Sequence, residues 1–259
     1  MRLSKYHGLG NDFLVLVDLD GRHAGAVDGA LVVRLCDRHR GVGADGLIRV
    51  SRGEDEGADV VMELWNADGS RAEMSGNGIR CLAHAVIDSG VDPGPTLTVA
   101  TDAGIKIVTR QAGDQPGVLR FSVGMGQPAP LEGLWLTVVG RKVAGVDMGN
   151  PHAVVLVEDP ADEDFAELAE RVNVEAVAPG PEDDAITMRV WERGVGETLA
   201  CGTGAAAAAW VASREWGLVG DHVVVHQPGG AAEVELGESN EVVLTGPSEF
   251  IATVEVPTP

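Results

Sequence analysis

The stretch MELWNADGSRAEMSGNG (62–78) falls on MRVWERGVGETLACGTG (188–204) without a gap when the chain is slid along itself by 126 residues. Met62 lands on Met188, Trp65 on Trp191, Asn66 on Glu192 and Ser75 on Cys201. Gly76 and Gly78 land on Gly202 and Gly204, and Ala83 on Ala209. The same slide brings Gly104 in TVATDAGIKI onto Gly230 in VVHQPGGAAE. With a slightly different offset, GNDFLVLVD (10–18) resembles GNPHAVVLVE (149–158). Self-similarity at a fixed offset marks a duplicated structural unit. The chain therefore reads as two homologous halves, 1–115 and 116–246, joined near QAGDQPG (111–117), where glycine and proline break the strand pattern. The tail, 247–259, is expected to return to the first half.

Short β-branched runs recur through both halves: FLVLVD, LIRV, VVMELW, LTVA, IKIVT, VLRFSV, LTVVG (136–140), AVVLV, ITMRVW, HVVVH, AEVEL and EVVLTG. Helical patterns are fewer. GALVVRLCDRH (29–39) is one, and Pro160 opens another that runs through EDFAELAERV. The two most apolar directly follow the glycine pairs, NGIRCLAHAVIDSG (77–90) and TGAAAAAWVASREWG (203–217). The expected class is α+β, with two pseudo-twofold halves, each a mostly antiparallel sheet wrapped around a central helix.

Charge excludes more than length does. The 259 residues carry 19 basic and 40 acidic side chains, net −21, and so repel phosphate backbones and anionic headgroups. Neither a nucleic acid nor a membrane is an expected partner. With 44% apolar residues the chain has enough for a sizeable core. Its only lysines, Lys5, Lys106 and Lys142, leave few candidates for Schiff-base chemistry. Cys36, Cys81 and Cys201 are odd in number and far apart, which fits a reducing cytoplasm better than a disulfide framework or a zinc site. MRLSKYHGLGNDF has no continuous apolar h-region, and no run of about 18 apolar residues spans a bilayer. A cytoplasmic location is expected.

A glycine-flanked turn entering a helix leaves backbone N–H groups without intrahelical acceptors, with the positive end of the helix dipole behind them. Such a terminus takes an anion. The rival phosphate-loop reading fails, because there is no G-K-[ST] and no G-x-G-x-x-G within a βαβ unit. The plain structural alternative is that Ser75 and Cys201 are ordinary helix caps. The functional reading adds that a helix N-terminus lowers a thiol pKa from its usual range near about 8.5, which makes Cys201 a candidate base or nucleophile. Two such termini facing one ligand suit inversion at a carbon: one group removes a proton, and the other delivers one to the opposite face. Donors aimed at the adjoining carboxylate stabilise the developing carbanion.

GNDF (10–13), GVGADG (41–46), WNADGSRAEMSGNGIR (65–80), GNPH (149–152), RVNVE (171–175) and WERGVGETLACGTGAA (191–206) closely resemble the diaminopimelate epimerase family, in order along essentially the whole chain. The resemblance implies a cofactor-independent, metal-free enzyme of two similar domains, commonly a homodimer. It implies interconversion of LL- and meso-diaminopimelate on the lysine and peptidoglycan route. Carried over by position, Cys201 matches one of two catalytic thiols. Gly76 with Asn77, and Gly202 with Thr203, match loops that hold the reacting carboxylate. Asn11, Asn66, Asn150, Asn173, Glu192 and Arg193 match ligand contacts, and His152 and Glu192 match groups that tune the two bases. A ligand with two zwitterionic ends needs neutral amides, a fixed cation and a carboxylate, which this set supplies. His23, His39, His84, His222, His226 and the DRHR run (37–40) have no such support and read as structural or solvated.

Ser75 departs from the pattern, since the family carries cysteine there. A hydroxyl preserves size and capping but does not ionise near neutral pH. Four readings follow: a serine put in to trap a ligand, an epimerase running slowly or through another acid, a relative with changed chemistry (a racemase or a one-base dehydratase), or a non-catalytic amino-acid-binding descendant.

Overall fold

Two cores organise the chain, one in each of two units: Met1–Val123 with Gly246–Pro259, and Gly124–Thr245. The computed structural model describes residues 1–53, 57–132 and 140–257. LTVVG therefore lies, except for Gly140, outside the described residues.

In unit 1, strands β1 (Arg2–Gly8), β2 (Asn11–Val17), β3 (Gly46–Arg52), β4 (Val60–Asn66), β6 (Thr96–Thr101), β7 (Gly104–Gln115) and β8 (Val118–Gly126) pair in that order, with the short β5 (Arg71–Ala72) on β4. The last strand, β17 (Val242–Glu255), pairs with both β1 and β8 and closes the ring. QAGDQPG breaks the strand at Pro116 and Gly117, which form a turn. β7 runs as far as Gln115, with an irregularity after Gln111, and turns into β8. Helix α2 (Gly76–Asp88) fills the ring, and its residues from Gly76 through Val86 are all buried. It ends where Gly90, at φ 87°, takes the left-handed conformation that only glycine adopts cheaply.

Unit 2 repeats this plan. Strands β10 (Lys142–Asp147), β11 (Pro151–Leu156), β12 (Asn173–Pro179), β13 (Ala185–Glu192), β15 (His222–Gln227) and β16 (Gly230–Leu236) pair in order, with β9 (Ala129–Leu131) on β10 and β14 (Gly196–Thr198) on β13. The registers coincide: Val60 pairs with Val99 as Ile186 pairs with Val225, and Phe13 with Gly46 as His152 with Asn173. Helix α4 (Gly202–Trp210) is the counterpart of α2. Its run Ala205–Ala209 is wholly buried, so any larger side chain there overpacks the core.

Outside each sheet lies a smaller apolar layer. Helix α1 (Gly29–Cys36) packs Leu31, Val32, Leu35 and Cys36 on Leu14, Leu47 and Trp65. It stops three residues before His39, because the carbonyl of Leu35 accepts from Val42 and Gly43 and Asp37 caps His39 and Arg40 instead. The helix expected from Pro160 to Val172 is broken into a 3₁₀ turn (Pro160–Asp162) and one turn of α3 (Ala166–Ala169). Arg189 explains the break, since its guanidinium takes the carbonyls of Pro160, Ala161 and Glu163 that a continuous helix needs. Past Trp210 the alanine helix widens into a π turn (Val211–Glu215), where the N–H of Trp216 reaches the carbonyl of Val211 (3.0 Å). The Trp216 ring there lies under the Lys142 ammonium, 5.4 Å away. Among the described residues no helix is long and apolar enough to cross a membrane.

Candidate functional site

Each unit presents one glycine-flanked helix terminus. In unit 1 the Ser75 Oγ accepts from the N–H of Gly78 (3.0 Å) as the cap of α2. A Cβ at Gly78 would lie 3.1 Å from Ser75 Cβ and 3.2 Å from Ile48 Cδ1, so a side chain there would crowd the cap. Asn77 is buried, accepts from Arg80 (2.7 Å) and donates to Asn11 (3.3 Å). Asn11 in turn donates to Asp45 (2.9 Å). Behind them Lys5 and Arg38 hold Asp12 at 2.8 and 2.7 Å. Burial pushes the Asp12 carboxyl up, but the Arg38 and Lys5 hydrogen bonds and charges outweigh it and bring it down to about 2. Asn66, at the end of β4, is exposed and donates to Ser70 (3.1 Å).

In unit 2 Cys201 caps α4. Its Sγ accepts from the N–H of Gly204 (3.4 Å) and lies 3.4 Å from Thr203 Oγ1, while its own N–H donates to Gln227 (2.9 Å). His152 is fully buried, with Nδ1 2.6 Å from Glu175 Oε1 and Nε2 3.0 Å from Asn150 Oδ1. Asn173 accepts from the backbone of Arg193 (2.8 Å), and Glu192 from the Thr198 hydroxyl (2.6 Å). The Arg193 guanidinium is exposed and makes no hydrogen bond or ion pair among the described residues.

The helix terminus lowers the Cys201 thiol through the bond from Gly204, as expected, but it is outweighed. Burial pushes that thiol well above its ordinary range, and Glu192 and Glu175 add repulsion that the bonds from Thr203 and Gly204 do not offset. Cys201 is a thiol, not a thiolate, at neutral pH. Glu192 is also raised, by burial first and then by Glu175, against the pull of Thr198, His152 and Cys201.

Glu175, Gln227, Thr198, Asp45 and Arg80 are contributors that the motif reading passes over. Glu175 had a signal: in the β12 register it occupies the place of Ile48 in β3, so a carboxylate replaces a core aliphatic. Cys36 and Cys81 are buried within their helices, and burial pushes their thiols up to about 11 and about 12. His84 is also buried, held by Ser248 (3.0 Å). In the DRHR run, Arg38 bridges Asp12 and Asp45 while His39 and Arg40 are exposed.

The duplicated architecture, a sheet around a capped central helix, defines a fold class with solved members. A Bacillus anthracis phenazine biosynthesis protein of the PhzF family shares it, with TM-score 0.73 and 17% identity over 99% of each chain. So does a hydroxyproline epimerase from Agrobacterium vitis with bound trans-4-hydroxy-L-proline, with TM-score 0.67 and 18% identity over 99% of this chain and 90% of that one. At such identities the likeness is one of fold. In sequence, the diaminopimelate epimerase family model matches residues 3–129 and 145–251. Diaminopimelate epimerase of Corynebacterium glutamicum is 41% identical over 98% of this chain and 97% of its own length. That of Pelotomaculum thermopropionicum is 39% identical over 99% of both. The chain belongs to the diaminopimelate epimerase family.

Proposed function

We propose that this protein is an isomerase that interconverts LL- and meso-diaminopimelate without a cofactor, acting as a cytoplasmic homodimer. Family membership over the full length carries the substrate. The chemistry rests on one observation: equivalent positions of two repeated units hold the caps of two buried, glycine-flanked helices, and one cap is Cys201. The Gly76–Asn77 and Gly202–Thr203 turns hold the reacting carboxylate and stabilise charge as the α-carbon loses its proton. Asn11, Asn66, Asn150, Asn173, Glu192 and Arg193 contact the ligand, with Arg193 supplying the fixed cation for the distal carboxylate.

Being protonated at rest, the Cys201 thiol delivers a proton on its face of the carbanion; once ionised it is a strong base, because its thiolate is poorly stabilised. His152 and Glu192 tune these steps. Ser75 occupies the opposite role with a hydroxyl, so turnover is slow. That same hydroxyl favours a second reading, a relative that uses Cys201 as its one base in racemising or dehydrating another amino acid.

Proton NMR in D2O distinguishes the two. With diaminopimelate the protein should wash deuterium slowly into the α-position and form some of the other isomer, while Cys201→Ala does neither and Cys36→Ala does both. Exchange that survives Cys201→Ala, or inertness toward both isomers, overturns the proposal.

A further inference from the structure

Arg80 lies in the second turn of α2, fully buried, and among the described residues its hydrogen bonds go to neutral acceptors. Its Nη1 donates to the carbonyl of Gly76 (2.9 Å), Nη2 to Asn77 Oδ1 (2.7 Å) and Nε to the carbonyl of Pro247 (3.2 Å). Two glycines make room for it: a Cβ at Gly8 would lie 3.1 Å from Nη2, and one at Gly246 3.1 Å from Cζ. Other arginines in the molecule meet carboxylates, such as Arg38 with Asp12, Arg49 with Asp18 and Arg189 with Glu197. Among the described residues Arg80 meets none. Burying a charge without a counter-ion is expensive.

The surroundings do not cancel that field. β1 brings Tyr6, which is bonded to Asp88 (2.9 Å), and β2 brings Asp12, matched by Lys5 and Arg38. β3 brings Arg49, already paired, and β7 brings Lys106 and Arg110. β8 adds Arg120, β17 places Glu249 against His7 (3.6 Å), and α2 itself carries Cys81 and His84. Each anion in this set is engaged elsewhere. Burial lowers the guanidinium to about 10, which leaves it charged at neutral pH.

Unit 2 is built the other way. Under the same 126-residue offset Arg80 corresponds to Ala206 and Asn66 to Glu192, and by strand register Glu175 stands where unit 1 has Ile48. Two carboxylates act on the second cap, where the turn of the first holds a guanidinium.

We propose that Arg80 is a positioning residue of the first half-site, whose uncompensated charge favours negative charge at the Ser75–Gly76–Asn77 turn. It rests on the epimerase reading. A thiol at position 75 would ionise more readily than Cys201; in the direction where it removes the proton Cys201 delivers one, and the reverse direction exchanges the two roles.

Thiol titration in the absence of substrate tests this independently of catalysis. In Ser75→Cys protein, the pH dependence of iodoacetamide alkylation is read by mass spectrometry on the peptides carrying positions 75 and 201. The thiol at 75 should alkylate with a midpoint at least one pH unit below that of Cys201 and below the ordinary thiol range. Adding Arg80→Gln should raise the first midpoint by about one unit and leave that of Cys201 in place. If that double variant does not fold, the comparison of the two midpoints in Ser75→Cys alone decides. Equal midpoints, a position-75 midpoint at or above the ordinary thiol range, or a double variant whose first midpoint does not move, overturns the role of Arg80.

Discussion

Replacing Glu175 by glutamine removes one negative charge beside Cys201 while keeping the size of the side chain and an oxygen for His152. A Cβ at Gly204 would lie 2.6 Å from Glu175 Oε1 and 3.3 Å from Cys201 Cβ, so carboxylate and cap side chain lie within about 6 Å. At an effective dielectric of about 20, one charge at about 6 Å is worth about 3 kcal/mol, or about two pH units. The hydrogen bond between His152 and Oε1 spreads the charge, so the expected fall in the Cys201 midpoint is about one to two units. The assay is ultraviolet thiolate absorbance against pH, with the curve of Cys201→Ala subtracted. That subtraction removes Cys36 and Cys81, whose thiols burial pushes up to about 11 and about 12. A midpoint that stays put or rises would refute the claim that buried carboxylates keep this thiol protonated.

Arg193→Ala should weaken diaminopimelate binding about ten- to a hundredfold, the range of a lost charge-assisted hydrogen bond, and leave lysine binding nearly unchanged; calorimetry with both ligands checks it. Equal losses for the two would mean that Arg193 does not read a second carboxylate. Asp12, held down to about 2, contributes stability that is complete above the unfolded carboxylate range and fades as pH falls through that value. Asp12→Asn should therefore be less stable than the parent at neutral pH, and the gap in urea midpoint should close in acid.

Much of the fold was legible because duplication writes it twice. A single offset carries Trp65 onto Trp191 and Ser75 onto Cys201, and the strand registers around those residues coincide. What escaped depends on burial and on contacts distant in sequence. Local reasoning about a helix terminus counts the N–H groups near Cys201 but not the carboxylates that β12 and β13 bring to it. Glu175 reads in RVNVE as one polar residue in a strand, yet it is fully buried, with Oε2 lacking any hydrogen-bond partner among the described residues. The helix expected after Pro160 failed for a similar reason, because Arg189 reaches its carbonyls from β13.

In the proposed function the two caps act as a proton-transfer pair, and the hydroxyl at position 75 limits it. Epimerisation of LL-diaminopimelate, followed by NMR for the parent and for Ser75→Cys, tests this most directly. An ionisable thiol at position 75 should raise the rate by orders of magnitude. A gain under about tenfold, less than about 1.4 kcal/mol of barrier, contradicts it.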